Sequence, residues 1–90
     1  KIMDQEKFDK VTKIFLEYTE KVKKLTVAQE TQLKLYGLFK QSNFGDNTTP
    51  EPGFFDLRSK AKWDAWNEQK GQSKYNSMKR YIQLVKSLQN

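Results

Sequence analysis

Along the first third of the chain, Phe8, Val11, Phe15, Tyr18, Val22 and Leu25 recur at spacings of three and four. At 3.6 residues per turn these positions line one face, so a helix is predicted from about Asp4. The run spans fewer than three heptads, which favours packing on neighbouring helices over a coiled-coil seam. Thr26 and Gln29 then stand at capping-box spacing, predicting a second helix with Thr26 as N-cap, running to about Ser42. In it Leu33, Tyr36, Gly37 and Lys40 share one face, while Leu35, Leu38 and Ser42 share another. A helix apolar on two sides packs between neighbours.

Periodicity stops over "NFGDNTTPEPGFFDLR", Asn43 to Arg58. Gly45, Pro50, Pro52 and Gly53 mark a long loop, with Thr49 and Glu51 extended because each precedes a proline. Phe44, Phe54, Phe55 and Leu57 are many apolar groups for a free linker, so this loop is expected to fold back over the core. Ser59 is placed to cap a third helix ending near Gly71, and Ser73 to cap a fourth. Met78, Tyr81, Ile82, Val85 and Leu88 give that last helix an unbroken apolar stripe. With no strand pattern and no internal repeat, the expected fold is all-α, a bundle of four helices in a single domain spanning 1–90.

Composition narrows the function classes. Cysteine and histidine are both absent, which removes the usual nucleophile–base pairs and most transition-metal sites. The carboxylates are scattered among lysines, so no acid–base pair is assigned, and neither catalysis nor a metal or cofactor is expected. Lack of cysteine fits a reducing compartment. The chain opens on Lys1 and is read as a domain or fragment of a longer protein; it shows neither a secretory signal pattern nor an apolar run of membrane-spanning length. Asn47-Thr48-Thr49 matches a glycosylation acceptor and is read as a loop element.

Seventeen Lys and Arg against eleven Asp and Glu give a net charge of +6. After Glu68 there is no acid, while Lys70, Lys74, Lys79, Arg80 and Lys86 follow. This asymmetry points to an anionic partner: a nucleic acid, a membrane surface or a phosphorylated small molecule. Dispersed around a helix, these cations make a poor nucleic-acid stripe.

The stretch "KAKWDAWNEQKG" interleaves tryptophans with lysines. Trp63 and Trp66 are read as core residues, and Lys60 and Lys62 by default as solvated heads on apolar stems. Yet Tyr36 and Lys40 present a ring and an ammonium one turn apart, and Lys62 and Trp66 lie about 40° apart on the helical wheel. Tyr81 sits on the buried stripe with a hydroxyl that needs a partner. Should these faces converge, rings and cations would form a pocket for an anionic, partly aromatic ligand.

Taken together, "LYGLFKQ" (Leu35–Gln41), "GDNTTPEPGFFDLRSKAKWDAWNEQKGQS" (Gly45–Ser73) and "MKRYIQLV" (Met78–Val85) closely resemble the acyl-CoA-binding protein family. The resemblance covers roughly Phe15 to Leu88. It implies an up-down-down-up four-helix bundle and a non-catalytic, monomeric carrier of long-chain fatty acyl-CoA, cytoplasmic, working with acyl-CoA-using enzymes or membranes and not with nucleic acid. Carried over by position, Lys40 and Lys62 match lysines that hold the CoA 3′-phosphate, Tyr36 a tyrosine that reaches it, and Tyr81 an aromatic partner near adenine. Lys23 and Arg58 fall where further basic groups surround the nucleotide. Phe39 replaces a second tyrosine, and Tyr18 stands where a small residue is usual, a change expected to narrow the groove or reshape where the acyl chain lies. The connection between the first two helices is shorter than usual, and residues 1–14 form an N-terminal helical extension.

Overall fold

In the computed structural model, which describes residues 4–89, the Asp4 carboxylate accepts the Glu6 amide and opens α1 (Gln5–Lys21). Of the expected N-terminal extension, residues 1–3 lie outside the described residues and the remainder belongs to Asp4 and α1. A 3-10 turn (Val22–Lys24) follows, then α2 (Gln29–Phe44), α3 (Leu57–Asn67) and α4 (Lys74–Leu88). Among the described residues the fold is four helices without a strand, as the periodicity predicts.

Helix α2 packs against both α3 and α4, and α1 packs against α4. The order α1–α4–α2–α3 makes a slab with Cα extents of 44 × 34 × 15 Å. One face of α2 supplies Leu35 and Leu38 to a core completed by Phe15 of α1 and Met78, Tyr81, Ile82 and Val85 of α4. Burying a side chain of this kind contributes about 1.5–3 kcal/mol, so this cluster holds three of the helices together. The other face of α2 meets α3 through Gly37, where a Cβ would run into the Ala65 carbonyl oxygen and lie 2.8 Å from the Ala65 carbonyl carbon. Only glycine permits that approach.

Three local expectations are corrected. Thr26 caps nothing: Ala28 is the N-cap of α2, without a side-chain hydrogen bond. Residues around it are extended so that Leu25 and Val27 reach the core, a gain that outweighs a cap worth about 1 kcal/mol. Gln32 Nε2 donates to the Val27 carbonyl instead. At α3 the cap is Asp56, whose Oδ1 accepts the Ser59 amide, so Ser59 lies inside the first turn. A carboxylate suits the positive end of a helix better than a hydroxyl. The helix ends at Asn67, and turns carry the chain to Gly71, which adopts φ +94°.

The third correction concerns the long loop. Its apolar groups do not fold over the core: Phe44, Phe54, Phe55 and Leu57 are all exposed. Indole and amide groups hold the loop instead. Trp66 Nε1 donates to the Gly45 carbonyl at 2.9 Å and Trp63 Nε1 to the Thr49 carbonyl at 3.1 Å. Trp66 is buried, but Trp63 is only half-buried, its ring being used as a post for the loop. Asn47 is buried, and its Oδ1 accepts both the amide and the hydroxyl of Thr49. The acceptor triplet is thus a loop staple.

A polar clip closes the far end of this loop. Asp46 Oδ1 accepts the Gly71 amide and Gln41 Nε2, each at 2.8 Å, and Gln41, fully buried, also donates to the Gln72 carbonyl. The Gly71 amide, followed by the Gln41 amide, lowers the Asp46 pKa below its ordinary value. A depressed carboxylate contributes stability above its unfolded pKa of about 3.9 and loses it as pH falls through the folded value. Asp46→Asn should therefore be less stable than the parent at pH 7, with the difference shrinking below about pH 4, as urea unfolding at graded pH would show.

Candidate ligand groove

Tyr36, near the middle of α2, forms a wall between two cavities. The smaller, about 300 Å³, is lined by Val22, Leu25, Val27, Gln32, Leu35, Tyr36, Phe39 and Tyr81. The larger, about 690 Å³, is lined by Gln29, Gln32, Leu33, Tyr36, Leu57, Arg58, Ala61 and Lys62. Gln32 and Tyr36 belong to both, so the two spaces meet along one ridge of α2, one on its α4 side and one on its α3 side.

The smaller cavity is aromatic and nearly without charge. Phe39 stacks on Phe15 with centroids 6.1 Å apart, and Tyr81 meets Phe15 edge-on at 5.0 Å. Tyr81 comes to this cavity from within the core, being 4% exposed, and its burial pushes the phenol pKa upward. It therefore keeps a neutral hydroxyl at physiological pH.

Cations gather on the other side. Lys62 Nζ lies 4.9 Å and Lys40 Nζ 5.9 Å from the centroid of the Tyr36 ring, so α2 and α3 bring two ammonium groups to one phenol. Arg58, one turn earlier on α3, shares the larger cavity with Lys62. Lys60 is different: it pairs with Asp64 at 2.8 Å and Glu51 at 3.0 Å, and these hydrogen bonds raise its pKa. Of the two lysines before Trp63, one is committed to carboxylates and the other is free of them among the described residues.

The structure thus brings Tyr36, Arg58 and Lys62 to the larger cavity and Tyr36, Phe39 and Tyr81 to the smaller. Lys40 reaches the Tyr36 ring but lines neither, resting over Phe44 at 4.6 Å and Trp66 at 4.9 Å. Two residues are placed elsewhere. Lys23, in the 3-10 turn, pairs with Glu20 at 3.0 Å and lines neither cavity. Tyr18 sits at the α1–α4 seam between the ammonium groups of Lys21 and Lys86, so it does not narrow either space. Gln29, Gln32, Ala61 and Leu57 were not anticipated. Their signal was present for α2, since Gln29, Gln32, Leu33 and Tyr36 fall at helical spacing, but only the docking of α3 closes that face into a cavity.

Residues 5–85 match the family described as Acyl CoA binding protein. The chain belongs to the acyl-CoA-binding protein family. It is 51% identical over 70 residues to "Acyl-CoA-binding protein homolog 1" of Caenorhabditis elegans, covering 78% of this chain and 81% of that protein. With the "Acyl-CoA-binding protein homolog" of Drosophila melanogaster it is 48% identical over 80 residues, covering 87% and 93%. The crystal structure of Oryza sativa Acyl-CoA-Binding Protein 2 superposes with a TM-score of 0.85 at 44% identity, covering 88% of each chain. In this acyl-CoA-binding protein family member, therefore, the two cavities around Tyr36 lie within a fold shared with a solved relative.

Proposed function

We infer that this chain binds fatty acyl-CoA esters and carries them without a covalent step. The observation that supports this most is the convergence of Lys40 and Lys62 on Tyr36, at the junction of an aromatic cavity and a larger one where Arg58 and Lys62 meet Leu33, Leu57 and Ala61. Acyl-CoA has matching parts: an aromatic base, a ribose 3′-phosphate and diphosphate, and a hydrocarbon tail. In this reading the base enters the smaller cavity against Tyr36, Phe39 and Tyr81. Lys40, Lys62 and the Tyr36 hydroxyl hold the 3′-phosphate, with Arg58 contributing positive field. The tail lies in the larger cavity against Leu33, Leu57 and Ala61, which has more than twice the volume of the other.

Magnitudes assign the roles. Tail burial contributes about 0.8 kcal/mol per methylene at most, roughly 10 kcal/mol gross for a long chain before association costs. A charge-assisted hydrogen bond contributes about 1.5–3 kcal/mol. The tail dominates affinity, and the phosphate contacts decide which tailed molecule is accepted. Calorimetry with long-chain acyl-CoA, CoA and free fatty acid tests this. Acyl-CoA is expected to bind far more tightly than either half; equal affinity for CoA and acyl-CoA would overturn the buried tail.

A further inference from the structure

The geometry points to the tip of the α2–α3 loop as a membrane-docking element that seats the mouth of the larger cavity on an anionic lipid bilayer. Phe54 and Phe55 are 72% and 88% exposed, with ring centroids 4.2 Å apart. They line neither cavity around Tyr36, and a Cβ at the preceding Gly53 would meet nothing within 4 Å, so the tip stands clear of the body. Two adjacent phenylalanines held in water are costly, and nothing in the ligand reading uses them.

Two further observations choose the occupant. The tip is continuous with the cavity, because Leu57, itself 76% exposed, lies two residues beyond Phe55 and lines it together with Arg58. The charge around the mouth is also positive. Arg58 and Lys62 have no carboxylate partner among the described residues, while the nearby acids are engaged, Glu51 with Lys60 and Asp56 as the cap of α3. Exposed aromatic rings beside unpaired cations suit the interface of a bilayer containing anionic lipid. No helix among the described residues is long and apolar enough to cross it, so the contact is peripheral. Such seating lets an acyl tail pass between bilayer and cavity without crossing water.

This proposal rests on the acyl-CoA reading for its purpose, but its first test needs no acyl-CoA. Cosedimentation with vesicles of phosphatidylcholine, with and without phosphatidylserine, is expected to show binding that requires the anionic lipid. The double variant Phe54→Ser/Phe55→Ser is expected to weaken it at least 10-fold. Transfer of a fluorescent acyl-CoA from the protein to the same vesicles should accelerate with vesicle concentration for the parent. For the variant it should fall to the spontaneous desorption rate, independent of vesicle concentration. Affinity for monomeric acyl-CoA in solution should stay within about twofold, since neither phenylalanine lines the groove.

Absence of vesicle binding by the parent overturns the proposal, as does a variant that binds vesicles equally well. Loss of solution affinity in the variant also overturns it, by making the tip part of the ligand site. So does a parent that dimerises through these rings in sedimentation and a variant that does not. If the parent binds vesicles but not acyl-CoA, it is the functional reading that fails, and docking stands on its own.

Discussion

Replacing Gly37 with alanine is expected to destabilise this protein, although the same change in an ordinary helix interior would stabilise it by about 0.5–1 kcal/mol. The difference lies in what the new methyl meets. It would collide with the Ala65 carbonyl oxygen and crowd the Ala65 carbonyl carbon and Trp66 nitrogen, at 2.8 and 3.3 Å. These are backbone atoms of α3, so no rotamer change relieves the contact and the helices must separate. Overpacking of this kind costs typically about 1–3 kcal/mol, and a clash with backbone belongs at the upper end. A net loss of about 1–2 kcal/mol should lower Tm by roughly 5–15 °C in a domain of this size. Separation of α2 from α3 also moves Lys62 away from Tyr36, so acyl-CoA affinity should fall with it. An alanine variant with a raised Tm would show that the two helices do not approach as closely as described.

The second large effect concerns the two convergent lysines. Lys62→Ala should weaken acyl-CoA binding by about 10- to 150-fold, corresponding to one charge-assisted hydrogen bond of 1.5–3 kcal/mol. Lys40→Ala should act similarly on affinity and also cost some stability, because the Lys40 ammonium lies over Phe44 and Trp66. A cation over a ring contributes about 0.5–1 kcal/mol where exposed. The decisive comparison uses 3′-dephospho-acyl-CoA. If the lysines hold the 3′-phosphate, the parent should bind this analogue at least as weakly as either variant binds acyl-CoA, and the substitutions should change the analogue's affinity little. A Lys62→Ala penalty of equal size on both ligands would assign the lysine to another part of CoA. Lys60→Ala is the internal control: with its ammonium held by Asp64 and Glu51, it should leave affinity nearly unchanged.

Some of this molecule was legible from local pattern alone. The spacing of Phe8, Val11 and Phe15, and of Met78, Tyr81, Ile82 and Val85, marked α1 and α4 because one face of each is buried and the other solvated. Ser73 does cap α4, accepting the Asn76 amide. The two apolar faces of α2 anticipated its position between α3 and α4. Elsewhere local pattern misled. Thr26 had the right spacing for a cap, but Leu25 and Val27 were needed in the core, and that requirement straightened the chain around it. Ser59 lost its capping role to Asp56, three residues earlier, whose charge favours the helix end. Apolar side chains in the loop, Phe44, Phe54, Phe55 and Leu57, predict burial over the core. The loop is instead held by indole N–H groups and Asn47, which leaves Phe54 and Phe55 in solvent.

By itself the sequence determined four helices and their solvated and buried sides. It withheld the thiol and imidazole groups that most catalysis uses, and it carried a family signature that names the ligand class. Only the tertiary structure decided which cations are available. Lys62 and Lys60 are two residues apart and chemically identical, yet one meets Tyr36 and the other is held by Asp64 and Glu51. It likewise placed Lys23 and Tyr18 outside the lining of both cavities and revealed that Tyr36 divides the two. The reason is physical: helical periodicity is set by neighbours within a few residues, whereas the partner of a side chain is whichever distant group the packing of backbones brings within reach.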